Sequence, residues 1–336
     1  MFSDRMKLGE PVRQSEVQGI FDWFEPNLLI QRDFSNGRRK FWTIASQSSI
    51  RSFVYDQNPV MFPLSELFRQ PWKVIRLLKD FLVRLVLLGR HERLSPVAFW
   101  RSENTFSFPN SCHVPFPMRL KAKVNVGSDS GVPKVVCVAK HGQRRKRVAW
   151  LIYALKTAPF DFKLTVIGSS PGSKSDRQHF EELKKRVSEL GPRKGLVTLM
   201  SDLSEREINR VFQSATAFIL PARREQMAIS PLEAMAHGLP VLISSDGGSI
   251  SYISPISKDQ VFRSYSQANF RKKLFNILGN AELREDLGRR NFDSVAEAHS
   301  PDSLWRGIGR LLAEEHLPKR TSQRILHGYK TLSRGI

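Results

Sequence analysis

Cysteine is almost missing from this chain: only Cys112 and Cys137 occur among 336 residues, far apart and with no histidine cluster beside them. That spacing excludes a disulfide framework and a cysteine-based zinc site, and it suits a reducing compartment. Each cysteine reads as a small apolar residue. The opening run Met1-Phe-Ser-Asp-Arg-Met-Lys lacks the apolar core of an export signal, so the expected location is cytoplasmic. Acid is scarce too, with 32 Asp and Glu against 53 Lys and Arg, and the tail from Lys319 to Arg334 holds none. A net charge of +21 is far above what solubility needs and implies a polyanionic neighbour, either nucleic acid or anionic lipid.

What is present is the material of a globular protein. Apolar residues make up 40% and aromatics 10%, enough in a chain of this length for two domains with real cores. No internal repeat or low-complexity tract is evident. Loop composition in Val126-Gly-Ser-Asp-Ser-Gly131 puts a linker near Lys121 to Pro133. The expected division is residues 1–125, residues 126–316, and a basic tail over 317–336.

The second part alternates strand and helix. Pro133 to Ala139 is a strand that ends on the cation Lys140, and His141-Gly-Gln-Arg-Arg-Lys146 leads into a helix near Arg147 to Thr157. Phe162 to Ile167 is a strand running into the small-residue turn Gly168-Ser169-Ser170, followed by a charged amphipathic helix over Ser175 to Leu190. Gly195 to Met200 is the next strand, and after Ser201 the capping box Ser204-Glu-Arg-Glu207 opens a helix to about Ser214. Ala217-Phe-Ile-Leu220 is a short buried strand. Ser230-Pro231 has the N-cap and first-turn chemistry of a helix start, Gly238-Leu-Pro240 closes that helix, and Val241-Leu-Ile-Ser-Ser begins another strand. Gln260-Val-Phe and helices near Gln267 to Leu278, Ala281 to Ala298 and Ser303 to Glu315 complete the pattern.

Ligands in doubly wound sheets bind at the carboxyl ends of strands. Glu225 stands at such an end, beside a helix start whose free amides and dipole suit a phosphate, and Glu233 lies on the helix itself. Spacing alone would also describe two solvated carboxylates, or the acid pair of a glycosidase, although the helix context argues against the latter.

The run Glu225-Gln-Met-Ala-Ile-Ser-Pro-Leu-Glu233-Ala-Met-Ala resembles the donor site of retaining nucleotide-sugar glycosyltransferases of family 4. These have a double-Rossmann (GT-B) architecture, and their signature is Glu, seven residues, Glu, on a Leu-Glu-Ala-Met-Ala helix. The resemblance spans roughly Lys134 to Glu315. It implies an α/β fold of two Rossmann-like domains, the N-terminal one incomplete here. It also implies transfer of a hexosyl group from a nucleoside diphosphate sugar to a hydroxyl acceptor, glycan or lipid-linked, with retention. Under it Glu233 binds the ribose hydroxyls, Glu225 faces hydroxyls of the transferred sugar, and Lys140 and Lys146 grip the diphosphate. Met227, Ala228, Ile229 and Ser230 would contact the donor, while Gly168, Ser169, Met200 and Ser201 would line the base and ribose pocket. No metal and no further cofactor is expected: two lysines and helix amides supply positive potential, and no Asp-x-Asp pair occurs. Two departures from the family pattern are visible. Ala139-Lys140 replaces Gly-Arg, which keeps the charge but loses bidentate geometry. Gln226-Met227-Ala228 replaces Gly-Phe-Gly, which restricts the backbone near the donor sugar.

The first part is less complete. Pro26 to Gln31, Phe41 to Ala45, Ser95 to Trp100 and Cys112 to Pro117 read as strands, about half of a Rossmann domain, and no Gly-Gly pair precedes Gly247. Gln47, Ser48 and Tyr55 to Gln57 are candidate cleft residues with surface roles equally open. Either this acceptor-side domain is abbreviated or the reading frame is truncated. That leaves open a second reading, a donor-binding protein with little turnover. Between Trp72 and Leu88 an amphipathic helix with a polar stripe of Lys73, Arg76, Asp80 and Arg84 is expected. With Arg69, Arg90 and Arg93 around it, residues 69–93 could lie on an anionic membrane surface at its inner face, although packing on the domain's own sheet competes. A third reading, nucleic-acid binding, rests on charge and the basic tail; no recognition motif accompanies it, and no specific nucleic acid is expected as a partner.

Overall fold

The computed structural model describes residues 28–32, 51–55, 92–95, 111–121, 131–223, 225 and 227–313. These fall in two compact units. The first contains four strands, β1 Leu28–Arg32, β2 Arg51–Tyr55, β3 Glu92–Ser95 and β4 Ser111–His113, paired in parallel in the order β1-β2-β3-β4. The strand expected at Pro26 to Gln31 is β1, and the one expected to begin at Cys112 overlaps β4. The expected strand at Ser95 lies instead just before it, over Glu92–Ser95, and β2 has no counterpart in the sequence reading. Phe41 to Ala45, Gln47, Ser48, Asp56 and Gln57, the helix expected at Trp72 to Leu88 and the basic tail lie outside the described residues.

The second unit is a six-stranded parallel sheet in the order β10-β9-β8-β5-β6-β7. Its strands are β5 Lys134–Val138, β6 Lys163–Gly168, β7 Val197–Ser201, β8 Ala217–Leu220, β9 Val241–Ser244 and β10 Val261–Phe262. Helices connect them: α1 Val148–Lys156, α2 Lys174–Ser188, α3 Glu205–Gln213, α4 Ser230–Ala236, α5 Ile250–Ile253, α6 Gln267–Gly279, α7 Ala281–Ala298 and α8 Pro301–Ala313. Counted from β5, the chain builds outward to β7, returns to the centre with β8 and builds outward again to β10. That reversal is the switch point of a doubly wound sheet. The central strands are mostly apolar because helices cover both faces: β8 and β9 are buried at every position.

The helices follow their sequence signals. In α1, Val148, Leu151, Ile152 and Leu155 are buried at i, i+3, i+4 and i+7. Ser204 and Glu207 form the expected capping box of α3, and Ser173 and Asp176 form a second one that starts α2 slightly earlier than the sequence suggested. Helix α4 is nearly all buried and closes in a Schellman turn, with Gly238 at φ 74°, Gly238 N–H donating to the Met235 carbonyl (2.8 Å) and Leu239 N–H to that of Ala234 (3.1 Å). Its start differs from the expectation. Ile229 is the N-cap, and Ser230 sits inside the first turn with no capping side chain. Ile229 already has helical dihedrals (φ −78°, ψ −36°), so the helix begins one residue ahead of the expected cap. Ahead of the linker, Met118 N–H donates to the His299 carbonyl (2.6 Å) and Lys121 N–H to that of Ala236 (3.1 Å), which ties residues 116–121 to this unit. Among the described residues no helix is long and apolar enough to cross a membrane.

A buried amide pair locks α7 onto the sheet. Gln260 Oε1 accepts from Val241 N–H (2.9 Å) and from Asn291 Nδ2 (2.7 Å), Gln260 Nε2 donates to Asn291 Oδ1 (2.8 Å), and Asn291 Nδ2 also reaches the Leu239 carbonyl (2.8 Å). Both residues are fully buried. Asn291→Ala should therefore lower stability by about 2 to 4 kcal/mol, because it orphans buried partners as well as removing bonds. Chemical denaturation monitored by circular dichroism checks this, with the slope against denaturant unchanged.

Candidate functional site

The switch point lies between β5 and β8, the two central strands whose following loops diverge to opposite sides of the sheet. The loop after β5 carries Lys140 to Arg147. The loop after β8 carries Pro221 to Ile229. Parallel pairing brings both to the carboxyl edge of the sheet, and their charged side chains meet there. Lys146 Nζ lies 2.6 Å from Glu225 Oε2, and Arg145 Nη1 lies 2.7 Å from the same oxygen. Arg223 N–H donates to the Arg145 carbonyl (2.7 Å), so the two loops are also joined through their backbones. The Lys146 and Glu225 side chains are only 11% and 15% exposed, whereas Arg145 is 47% exposed.

The basic run 144–147 is contiguous in sequence, but its members go to three different places. Arg144 pairs with Glu182 on α2 (2.7 Å), in solvent. Arg145 and Lys146 converge on Glu225. Arg147 stands in the left-handed region at φ 53°, donates to the Ser264 carbonyl (2.5 Å) and lies over the Trp150 ring at 4.4 Å. Burial holds its pKa below the usual guanidinium value, and Asp246 opposes that shift. Lys140, the cation at the end of β5, has an exposed side chain.

Glu225 is positioned from the far side by the Gly247-Gly248 turn. Its carbonyl accepts from Gly248 N–H (2.8 Å), and a Cβ at Gly247 would come within 3.3 Å of that oxygen. Ala228 is buried between two side chains of the next segment: its N–H reaches Ser249 Oγ (3.4 Å) and its carbonyl accepts from the Tyr252 hydroxyl (2.9 Å). Burial raises the Tyr252 pKa, and the charges of Glu225 and Glu233 push it the same way. Both carboxylates thus act on one buried hydroxyl. Met227 packs partly against the core and Ile229 is exposed. Glu233 is the one ionisable group of α4. Its pKa is raised first by burial and then by Glu205, with Lys121 pulling the other way.

The second group of expected residues lies along the neighbouring strand ends. Gly168 ends β6 opposite Ser201, the last residue of β7, and Met200 pairs with Ile167. His141, which sequence reasoning passed over, organises this edge. It is fully buried, stacked on Phe180 at 4.8 Å, with Nε2 2.8 Å from the Met200 carbonyl. A carbonyl only accepts, so Nε2 carries the proton and Nδ1 presents a buried lone pair with no hydrogen-bond partner. Burial lowers the ring's pKa, which keeps it neutral. Gly168 is required by this packing, since a Cβ there would lie 2.6 Å from the Ala139 carbonyl oxygen and 2.9 Å from the imidazole. Asp202, also missed, takes a left-handed turn at φ 56° and accepts hydrogen bonds from the Ser170 hydroxyl and N–H, which lower its pKa. Ser169 beside it is exposed. A polar residue right after a strand ending in Ser is the signal that could have found Asp202; His141, three residues past the end of β5, carries no such signal.

Residues 122–294 match the family described as Glycosyl transferases group 1. A D-inositol 3-phosphate glycosyltransferase from Paenarthrobacter aurescens is 25% identical over 157 residues, 46% of this chain but 36% of that protein. The chain thus spans about a third of the length of the curated relatives it matches. Among solved structures, a sucrose-phosphate synthase from Thermosynechococcus elongatus superposes with a TM-score of 0.70 at 16% identity, covering 90% of this chain and 76% of that one. The Anabaena protein Alr3699/HepE, solved in complex with UDP, gives 0.66 at 12% identity over 89% and 82%. At such identities the structures establish the fold, the α/β double-Rossmann architecture expected from the sequence. With the family match covering just over half of its residues, the chain belongs to the group 1 glycosyl transferases.

Proposed function

We propose that this protein transfers a hexosyl group from a nucleoside diphosphate sugar to a hydroxyl of a glycan or lipid-linked acceptor, with retention and without a metal. The observation that carries the reading is the meeting of Lys146 and Glu225 across the switch point, 2.6 Å apart, with Glu233 on the helix that follows. Lys146 and Lys140 would take the charge that develops on the departing diphosphate, Glu225 would orient the transferred sugar, and Glu233 would accept the ribose hydroxyls. Gly168, Ser169, Met200 and Ser201 would border the base, along the edge that neutral His141 holds in place, and residues 227–230 would face the donor.

In the proposed step the bond from the anomeric carbon to the phosphate oxygen breaks, and its electron pair leaves with the diphosphate. The acceptor oxygen attacks from the same face, and its proton passes to a phosphate oxygen. The +21 charge favours an anionic or membrane-borne acceptor. Binding of that acceptor by residues 1–125, and membrane contact through 69–93, belong to the same proposal.

Two outcomes test it. Lys146→Ala should depress transfer more than it weakens nucleoside monophosphate binding, because its partner is the group that gains charge in the transition state; equal losses in calorimetry and turnover would remove it from that role. Glu233→Gln should weaken nucleotide binding by about 1 to 3 kcal/mol while raising the melting temperature of the unliganded protein at neutral pH. The folded-state pKa of Glu233 is raised, so the fold loses stability as pH climbs from the ordinary carboxylate range through that raised value. The melting difference between variant and parent should therefore shrink as pH falls back through the same window. A variant no more stable than its parent at neutral pH would show that the carboxylate is not held at a cost.

A further inference from the structure

We propose that Arg145 is a third diphosphate-binding cation and that Glu225 is the built-in anion holding Arg145 and Lys146 until a diphosphate displaces it; this rests on the donor-site reading above. Two cations, one guanidinium and one ammonium, donate to the same oxygen of one carboxylate, at 2.7 and 2.6 Å. The arrangement carries one net positive charge and copies the way a phosphate oxygen is gripped. A diphosphate offers more charge and more acceptor oxygens than a single carboxylate oxygen, and a guanidinium fits that geometry better than an ammonium does. It is therefore a stronger partner for both groups.

The mobility needed is unevenly distributed. Lys146 is mostly buried, so it can turn from carboxylate to phosphate only within the site. Arg145 is half exposed, but its backbone is pinned, its carbonyl accepting from Arg223 N–H at 2.7 Å. Its root is fixed, and its tip is held only by Glu225 and is open to solvent. Arg144 on one side is committed to Glu182, and Arg147 on the other to Ser264 and Trp150. Arg145 is thus the one additional cation of the run already pointed at the position where the sugar-facing carboxylate sits. Freed from its two cations, Glu225 would become available to sugar hydroxyls only once the diphosphate is in place. Donor binding and alignment of the transferred sugar would then be a single event.

The test is calorimetric titration of the full chain and its variants with UDP, ADP and GDP and the matching monophosphates, at low and raised salt. Glu225→Gln should bind its preferred diphosphate several-fold more tightly than the parent, because the competing anion is gone, while transfer falls. Arg145→Ala should bind the diphosphate about ten-fold more weakly, the worth of one charge-assisted hydrogen bond, with monophosphate binding changed much less and Arg145→Lys recovering part of the loss. Melting curves confirm that each variant is folded, and the exposed Arg145 makes its variants the safer pair. If Arg145→Ala binds diphosphate like its parent, or Glu225→Gln binds it no better, the placeholder idea is wrong while the donor site can stand. If the parent binds none of the three diphosphates, the donor-site reading falls and takes this inference with it.

Discussion

One constraint organises the second unit: parallel strands laid down from the centre of a sheet outward, first in one direction and then in the other. The reversal places β5 next to β8, although Val138 and Ala217 are far apart in the chain. Only at that seam do the loops after two neighbouring strands part, and there Lys146 and Glu225 come within 2.6 Å. The ion pair follows from the topology, and the topology follows from apolar strands that need helices on both faces.

Charge at this seam is held against stability rather than for it. Lys146 and Glu225 are mostly buried, and removing Glu225 would leave the Lys146 ammonium uncompensated, which costs about 3 to 5 kcal/mol in such settings, whereas Arg145 still faces Glu225 if Lys146 is removed. Glu233 sits on an otherwise apolar helix with its carboxyl pushed up by burial. Arg147 and Asp202 occupy left-handed backbone that costs a non-glycine residue roughly 1 to 2 kcal/mol each. Arg147 is repaid by Ser264 and Trp150, and Asp202 by Ser170. These strained and charged positions gather at the carboxyl edge of the sheet, as expected where geometry serves a ligand rather than the fold.

The helices of the second unit were legible because their signals are local. The capping box of α3, the apolar spacing of α1 and the glycine that closes α4 each act within a few residues. The Ser230 cap failed because Ile229 already takes helical backbone, which the residue types at Ser230-Pro231 do not announce. In the first unit β2 went unread and β3 was placed one strand-length late, since Arg-Ser-Phe-Val-Tyr and Glu-Arg-Leu-Ser carry polar residues that only pairing with neighbouring strands explains. Arg145 and His141 escaped for a similar reason. Both lie in the segment His141 to Lys146, where residue type alone does not say which side chain is buried or which carboxylate it meets.

The sequence by itself determined the alternating strands and helices, the family signature, and the identities of Lys140, Lys146, Glu225 and Glu233 as candidates. All of these are matters of residue type and short-range spacing. Only the tertiary structure decided which cations of a contiguous run share a carboxylate, which histidine is buried and neutral, and which carboxyl is shifted. Those properties depend on distances between loops some eighty positions apart and on how much water is removed around each group. No local pattern encodes either.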